Sequence, residues 1–274
     1  MAFLRTAVLL GLLTGILLAI GFFFAGVTGM TIALIFALFI NFITYWYSDK
    51  IVLAIYRAKP TDNKKLHSMV ERLVKEADMP KPKLYILQQN VPNAFATGRS
   101  PKHSAIAVTE GLLDNLEDDE IEGVLSHELA HIKNRDTLVS TLAATIAGAI
   151  SFLAQIAWFS IFSRDRERGN AFLFPLIILA PFAAMLVQLA ISRGREFHAD
   201  YTGAFISKKP LSLASALEKI SNIADKNPIR GNSATSHLWI VNPFKGDSFV
   251  KLFMTHPPVA ERIERLKNFS KNVK

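Results

Sequence analysis

Not one of the 274 residues is cysteine. That absence excludes disulfides and thiolate metal ligands, and it suits a reducing compartment. Acidic residues are the scarcer charge, 23 Asp and Glu against 31 Lys and Arg, for a formal net charge of +8. No RNA- or DNA-binding motif accompanies the basic excess, so no nucleic-acid partner is expected. Much of the positive charge instead flanks apolar segments, where anionic lipid attracts it. There is no internal repeat and no low-complexity stretch. The most informative absence is local: Thr6–Ala25, Thr31–Tyr47, Leu138–Phe162 and Ala171–Ser192 carry no charge at all.

Stretches of 25 and 22 uncharged residues, as in the third and fourth segments, can each cross roughly 30 Å of hydrocarbon. Thr31–Tyr47, at 17 residues, is near the lower limit for a span. Gly26–Met30 holds two glycines in five residues and suits a tight turn between the first pair. A cleaved leader is a poorer reading of the first segment, which is too long and runs directly into another. Only Ser163–Asn170 separates the second pair. The expectation is four transmembrane helices in two hairpins, with Pro175 and Pro181 kinking the fourth. In that arrangement Arg5, Lys50, Arg57, Lys59, Lys133, Arg135, Arg193 and Arg195 share one side. The other side has an uncharged turn, and a second turn whose Arg164, Arg166 and Arg168 are offset by Asp165 and Glu167. The balance places both termini in the cytoplasm of a multi-pass protein of the cell (inner) membrane.

Between the two hairpins lies Ser126-His127-Glu128-Leu129-Ala130-His131. Histidines four apart stand one turn apart on the same helical face, so both imidazoles can converge on one zinc ion. Glu128 can reach a water held there and take its proton. The surrounding sequence supports a helix. Asn115–Glu120 offers caps and carboxylates for its N-terminus, and Ile121, Val124, Leu125, Leu129 and Ile132 recur at helical spacing. A catalytic zinc takes three protein ligands and keeps a fourth position open. The third is not a histidine shortly downstream, because the positions that would hold Gly and His hold Asn134 and Thr137. Glu196, in Arg195-Glu196-Phe197-His198-Ala199-Asp200, is the next candidate. The second hairpin explains the 65 intervening residues: the chain leaves through the membrane and returns Glu196 beside the helix it left. Asp200, four residues on, shares the face of Glu196 and can hold a ligand histidine by its other ring nitrogen. His198 points to a different side.

The domain reading is therefore an N-terminal hairpin over 1–48, one soluble domain in two pieces, 49–137 and 193–274, and a second hairpin over 138–192. Within the soluble domain, Asp62–Asp78 reads as a helix with Leu66, Met69, Val70, Leu73 and Val74 on one face. Lys83–Leu87 and Ser104–Thr109 read as short strands, the latter leading into a helix over Glu110–Leu116. Leu211–Lys226 and Pro257–Phe269 read as further helices, the last opening with Pro. Lys226–Asp247 has no clear period and reads as a mobile loop able to cover the cleft.

These residues together resemble the HtpX-type membrane zinc endopeptidases, relatives of the CAAX prenyl proteases. The resemblance covers nearly the whole chain. It rests on Pro92-Asn93-Ala94-Phe95-Ala96-Thr97-Gly98, Thr109–Leu113, Ser126–Asp136, Arg195–Asp200 and Thr255–Ile263. It implies an α+β, gluzincin-like zinc protease domain, mostly helical with a small sheet. One Zn2+ per subunit would be held by His127, His131 and Glu196, with Glu128 as general base and acid. It adds roles that spacing does not give. Asn93, with Ala94 and Phe95, resembles the edge strand along which a substrate peptide lies extended. His256 resembles the residue that contacts the substrate carbonyl oxygen as charge develops. Arg262 resembles the partner of Asp200. The remaining histidines read as exposed, although His237 in the loop could approach the cleft.

The function implied is endopeptidase action on membrane-protein or peptide substrates at the cytoplasmic face, in the quality control of misfolded or damaged proteins. Three alternatives stay open. CAAX-type processing calls for more spans around a chamber. Cleavage within the bilayer calls for the paired histidines to sit inside an apolar span. A zinc-binding scaffold without activity calls for a fourth ligand, for which His198 and His256 are the candidates. Oligomeric state is not legible in the chain.

Overall fold

The computed structural model describes residues 2–140, 142, 193–226, 239–241 and 257–272. The chain begins with a helix over Ala2–Ile55 (α1) that breaks once, at Ala25 and Gly26. Gly26 adopts φ +57°, a conformation costly for any residue with a Cβ. The two halves fold back on each other. Asn41 Nδ2 donates to Thr14 Oγ1 at 2.9 Å, and a methyl on Gly21 would run into the Gly29 carbonyl.

One expectation is corrected here. The turn expected over Gly26–Met30 is confined to Ala25 and Gly26, because one left-handed glycine suffices to reverse the chain, and 27–30 are already helical. The apolar segment of the second half ends at Tyr47, as expected, while the helix itself continues to Ile55. Its last turns bury Val52 and Leu53 in the protease domain, so the boundary expected at 48 falls inside a continuous helix. Among the described residues one segment, Ala25–Tyr47, is long and apolar enough to cross a membrane: 23 residues, with a mean hydropathy of 2.1 over its most apolar 18. The expected span Ala171–Ser192 lies outside the described residues, and so does Leu138–Phe162 except for 138–140 and 142.

A four-stranded mixed sheet follows: β1 (Lys59–Pro60), β2 (Lys83–Leu87), β3 (Ala94–Ser100) and β4 (His103–Thr109). The order is β1-β2-β4-β3, with β2 and β4 parallel and the other pairs antiparallel. β3 is thus an edge strand. β1, two residues long, is too short to leave a period in the sequence. Between β1 and β2 runs α2 (Lys64–Ala77), capped by Asn63, whose Oδ1 accepts from Leu66 N at 3.1 Å. Its expected stripe of Leu66, Met69, Val70, Leu73 and Val74 is buried.

After β4 come α3 (Glu110–Asn115) and α4 (Asp118–Lys133). α4 starts with a reciprocal capping box between Glu117 and Glu120. The later helices are α5 (Arg193–Ser207), α6 (Pro210–Lys226) and α7 (Val259–Asn272). α4 is the central element, with Leu125 and Leu129 fully buried. Each such side chain contributes about 1.5–3 kcal/mol by leaving water. Two glycines let neighbouring helices close on α4. A methyl on Gly203 of α5 would sit 2.8 Å from His127 N, and one on Gly123 would sit 2.8 Å from Leu213 N of α6.

Candidate metal centre and active site

Helical spacing on α4 brings His127 Nε2 and His131 Nε2 to 3.2 Å from each other. The close approach of α5 at Gly203 delivers Glu196 to the same point. Its carboxylate oxygens lie 3.8 Å from His127 Nε2 and 3.5 Å from His131 Nε2. Three ligand atoms each about 2.0–2.1 Å from a tetrahedral zinc stand about 3.4 Å apart. Separations of 3.2, 3.5 and 3.8 Å bracket that figure, and two imidazoles with one carboxylate form a donor set suited to zinc. The residues fit the ion.

The other ring nitrogens each face a carboxylate. Asp200, one turn after Glu196, places Oδ1 3.0 Å from His127 Nδ1. Asp136 places Oδ2 3.4 Å from His131 Nδ1, and Arg195 NH1 lies 3.7 Å from the other Asp136 oxygen. Such partners fix ring orientation and leave the facing nitrogen as the ligand. Arg262 of α7, fully buried, grips Asp200 with two parallel bonds, Nε to Oδ2 at 2.8 Å and NH2 to Oδ1 at 2.7 Å. Its NH1 is 3.6 Å from Glu196. One guanidinium thus compensates two carboxylates removed from water, which neither could tolerate alone.

The electrostatics follow from this burial. Burial alone would raise the Asp200 carboxyl, but Arg262 and His127 outweigh it and hold it at about 2. Burial lowers His127. His131 is also lowered by burial, yet Glu196 and Asp136 carry it up to about 9. Glu128 is pushed by burial up to about 7, against the attraction of His131. The Ala96 N–H of β3 donates to the Glu128 carboxylate, which ties the candidate base to the edge strand.

Asn93 stands just before β3 and is 1% exposed. Its backbone is locked to Thr109, whose N–H donates to Asn93 O at 2.9 Å and whose Oγ1 accepts from Asn93 N at 2.8 Å. The side-chain oxygen of Asn93 accepts from Ile240 N at 3.0 Å, and Ile240 O accepts from Arg262 NH1 at 3.0 Å. Ala94 and Phe95 open β3 and are buried. The Phe95 ring packs on Tyr56 with centroids 5.3 Å apart. Lys226–Asp247 was expected to be a mobile loop. Most of it lies outside the described residues, but Trp239, Ile240 and Val241 are buried, with Trp239 Nε1 donating to Tyr56 Oη at 3.0 Å.

The structure therefore brings His127, Glu128, His131, Glu196, Asp200 and Arg262 into one cluster, bordered by Asn93 and β3. His198 is exposed on the opposite side of α5. Tyr201 packs on Phe269 at 4.7 Å rather than on the cluster. His237 and His256 lie outside the described residues. Sequence reasoning did not single out Asp136, Arg195, Ala96 or Ile240. The first two stand inside the runs around His131 and Glu196, where a carboxylate five residues past a ligand histidine was a usable signal. Ala96 acts through its backbone and Ile240 through its main chain, so neither leaves a residue-type signature.

A buried helix presenting two imidazoles, a carboxylate from the adjoining helix and a base against an edge strand define a metallopeptidase. This chain belongs to peptidase family M48, whose profile matches residues 60–270. Among curated relatives, a protease HtpX homolog of Pyrococcus furiosus is 53% identical over 275 residues, covering 97% of this chain and 95% of its own. A second, from Thermococcus sibiricus, is 53% identical over 282 residues, covering 98% and 97%. The crystal structure of Ste24p from S. mikatae superposes with a TM-score of 0.51 at 17% identity, over 93% of this chain and 62% of that one. That likeness supports the shared fold.

Proposed function

We propose that this metallopeptidase is a zinc endopeptidase that cuts membrane proteins, misfolded or damaged ones in particular, at the cytoplasmic face of the cell membrane. The observation that carries the reading is the convergence of His127, His131 and Glu196 on one point, with their atoms within 4.8 Å of one another and Glu128 beside them. When bound there, zinc supplies Lewis-acid chemistry that acidifies water and polarises a carbonyl. Glu128, raised towards neutrality by burial, takes the proton of the attacking water and returns it to the leaving amine. Asp200 and Arg262 hold His127 in place through the other ring nitrogen. Asn93 and β3 align the substrate backbone, and His256 assists at the carbonyl oxygen. Four spans in two hairpins, with the protease domain assembled from 49–137 and 193–274, hold this site beside the bilayer.

The test uses the full chain in detergent with an unfolded membrane-protein substrate. Glu128→Gln is expected to bind one zinc per chain as before while proteolysis falls at least about 10²-fold, the usual worth of a positioned base. Activity surviving that change rejects the role of Glu128. Glu196→Gln is expected to weaken zinc retention, and unaltered retention would show that another group completes the site.

A further inference from the structure

The apolar segment Ala25–Tyr47 ends in Tyr45-Trp46-Tyr47, with Trp46 43% and Tyr47 46% exposed. Amphipathic rings at the end of an apolar helix take up the headgroup level of a bilayer. The β3–β4 hairpin reaches this point. The Arg99 guanidinium lies 4.3 Å over the Trp46 ring, and its NH1 donates to Trp46 O at 3.3 Å. Beyond it the turn Ser100-Pro101-Lys102-His103 projects outward, with Lys102 and His103 exposed. Lys50 lies 5.1 Å over the neighbouring Tyr47 ring. Arg99 and Lys50 thus stack on adjacent aromatic residues at this end of the helix, and Lys102 is exposed in the turn beyond. Among the described residues neither Arg99 nor Lys102 is paired with a carboxylate.

We propose that this hairpin tip, Arg99 to His103, is a docking surface for anionic phospholipid headgroups, which pins the edge strand β3 to the membrane. Cationic side chains at the level of interfacial aromatics meet phosphate at the depth where their aliphatic stems remain in apolar surroundings. With NH1 engaged by the Trp46 carbonyl, the guanidinium stacked on indole keeps its other in-plane N–H groups available to phosphate oxygens. The consequence reaches the catalytic cluster. Ala96, which holds Glu128, is four residues along β3 from Ser100, roughly 13 Å at strand spacing. The cutting point then stands just above the headgroups and suits stretches of polypeptide emerging from the bilayer. Each basic residue close to an anionic surface strengthens attraction about fivefold.

This inference rests on the reading of Ala25–Tyr47 as bilayer-crossing, and the experiment separates the two. Because the chain has no cysteine, single-cysteine variants can carry a fluorophore at His103→Cys in the tip, Phe36→Cys in the apolar segment and Lys75→Cys on α2. The labelled full-length protein is reconstituted in phosphatidylcholine, with or without phosphatidylglycerol, containing nitroxide lipids. The tip label should be quenched by headgroup nitroxide, more strongly with phosphatidylglycerol, while the α2 label is not. Arg99→Gln with Lys102→Gln should abolish the anionic enhancement, together with any rise of proteolysis on adding phosphatidylglycerol. An unquenched label at 36 sinks the span itself. Quenching at 36 without quenching at 103 sinks only the docking. Equal quenching at 103 in both lipids, unaffected by the two substitutions, overturns the recognition of charge. Displacement of the tip by inorganic phosphate or an acidic peptide at comparable charge concentration would assign the surface to a soluble ligand instead.

Discussion

α1 and α4 are helices built on opposite plans. On α1, Ile35, Phe36, Leu38 and Phe39 face outward at 54–66% exposure. On α4, His127, Glu128 and their partners Glu196, Asp200 and Arg262 are at most 5% exposed. One helix shows apolar groups to its surroundings, and the other hides charge inside the protein. The first arrangement is stable only where the surroundings are themselves apolar, as in a bilayer. The second is stable only where every buried charge has a partner or an ion. The lesson is that polarity alone does not assign a residue to inside or outside; its partners and its solvent do.

Breaking the interior plan should have the largest effect. Arg262→Met leaves Asp200 and Glu196 buried without their guanidinium. It should destabilise the protease domain by about 3–5 kcal/mol, read as a fall in the denaturation midpoint in detergent. Arg262→Lys keeps the charge but not the paired bonds and should lose less. If the methionine variant were as stable as the parent, the charge cluster would not need this partner. Breaking the exterior plan should cost nearly as much. Phe36→Lys puts a charge mid-segment on α1, at about 2.5–3.5 kcal/mol of insertion, visible as loss from the membrane fraction, whereas Phe36→Leu should be neutral.

A finer test concerns the seam between α4 and α5. Gly203→Ala adds a methyl against the His127 backbone, and the helices must part. A loss of about 1–3 kcal/mol, as for an overpacked core, should come with weaker zinc binding, since Glu196 and His127 move together. Normal zinc affinity would mean the seam does not set the ligand distances.

The smallest effect is expected at the polar rim of α4. Burial would raise the Glu120 carboxyl, but the Lys219 ammonium and Ser215 hydroxyl hold it below its usual value, at 2.8 and 2.6 Å. Its contribution to stability is therefore complete above the unfolded carboxyl value of about 4.3. It fades as pH falls through the lower folded value. Melting curves from pH 5 downward should show a shallower decline for Glu120→Gln than for the parent.

What could be read from residues alone follows local geometry. His127 and His131 were legible as a pair because four residues make one turn. Glu196 with Asp200 was legible for the same reason, and the stripe of α2 by its period. Arg262 was legible as the partner of Asp200 only through resemblance, since nothing in its neighbours distinguishes a buried Arg from an exposed one. Arg262 is 62 residues from Asp200 and 135 from His127, and no spacing rule spans such gaps. Asp136 and Arg195 were overlooked because both read equally well as charges flanking apolar segments. The end of the apolar span at Tyr47 was legible because polarity rises at Asp49, whereas the continuation of α1 to Ile55 was not, since Val52 and Leu53 find apolar partners only in the folded domain.

The order of residues by itself determined which side chains share a helical face, which segments shun water and which chemistry the chain can perform. Periodicity and hydropathy are short-range properties, carried along the chain without reference to the rest of it. Only the tertiary structure decided that α5 packs on α4 closely enough for Glu196 to meet the imidazoles. It also decided that one arginine answers for two buried carboxylates, and that the hairpin tip rests against Trp46. Those outcomes depend on glycine-permitted contacts and desolvation between distant segments, and such contacts exist only once the chain has folded.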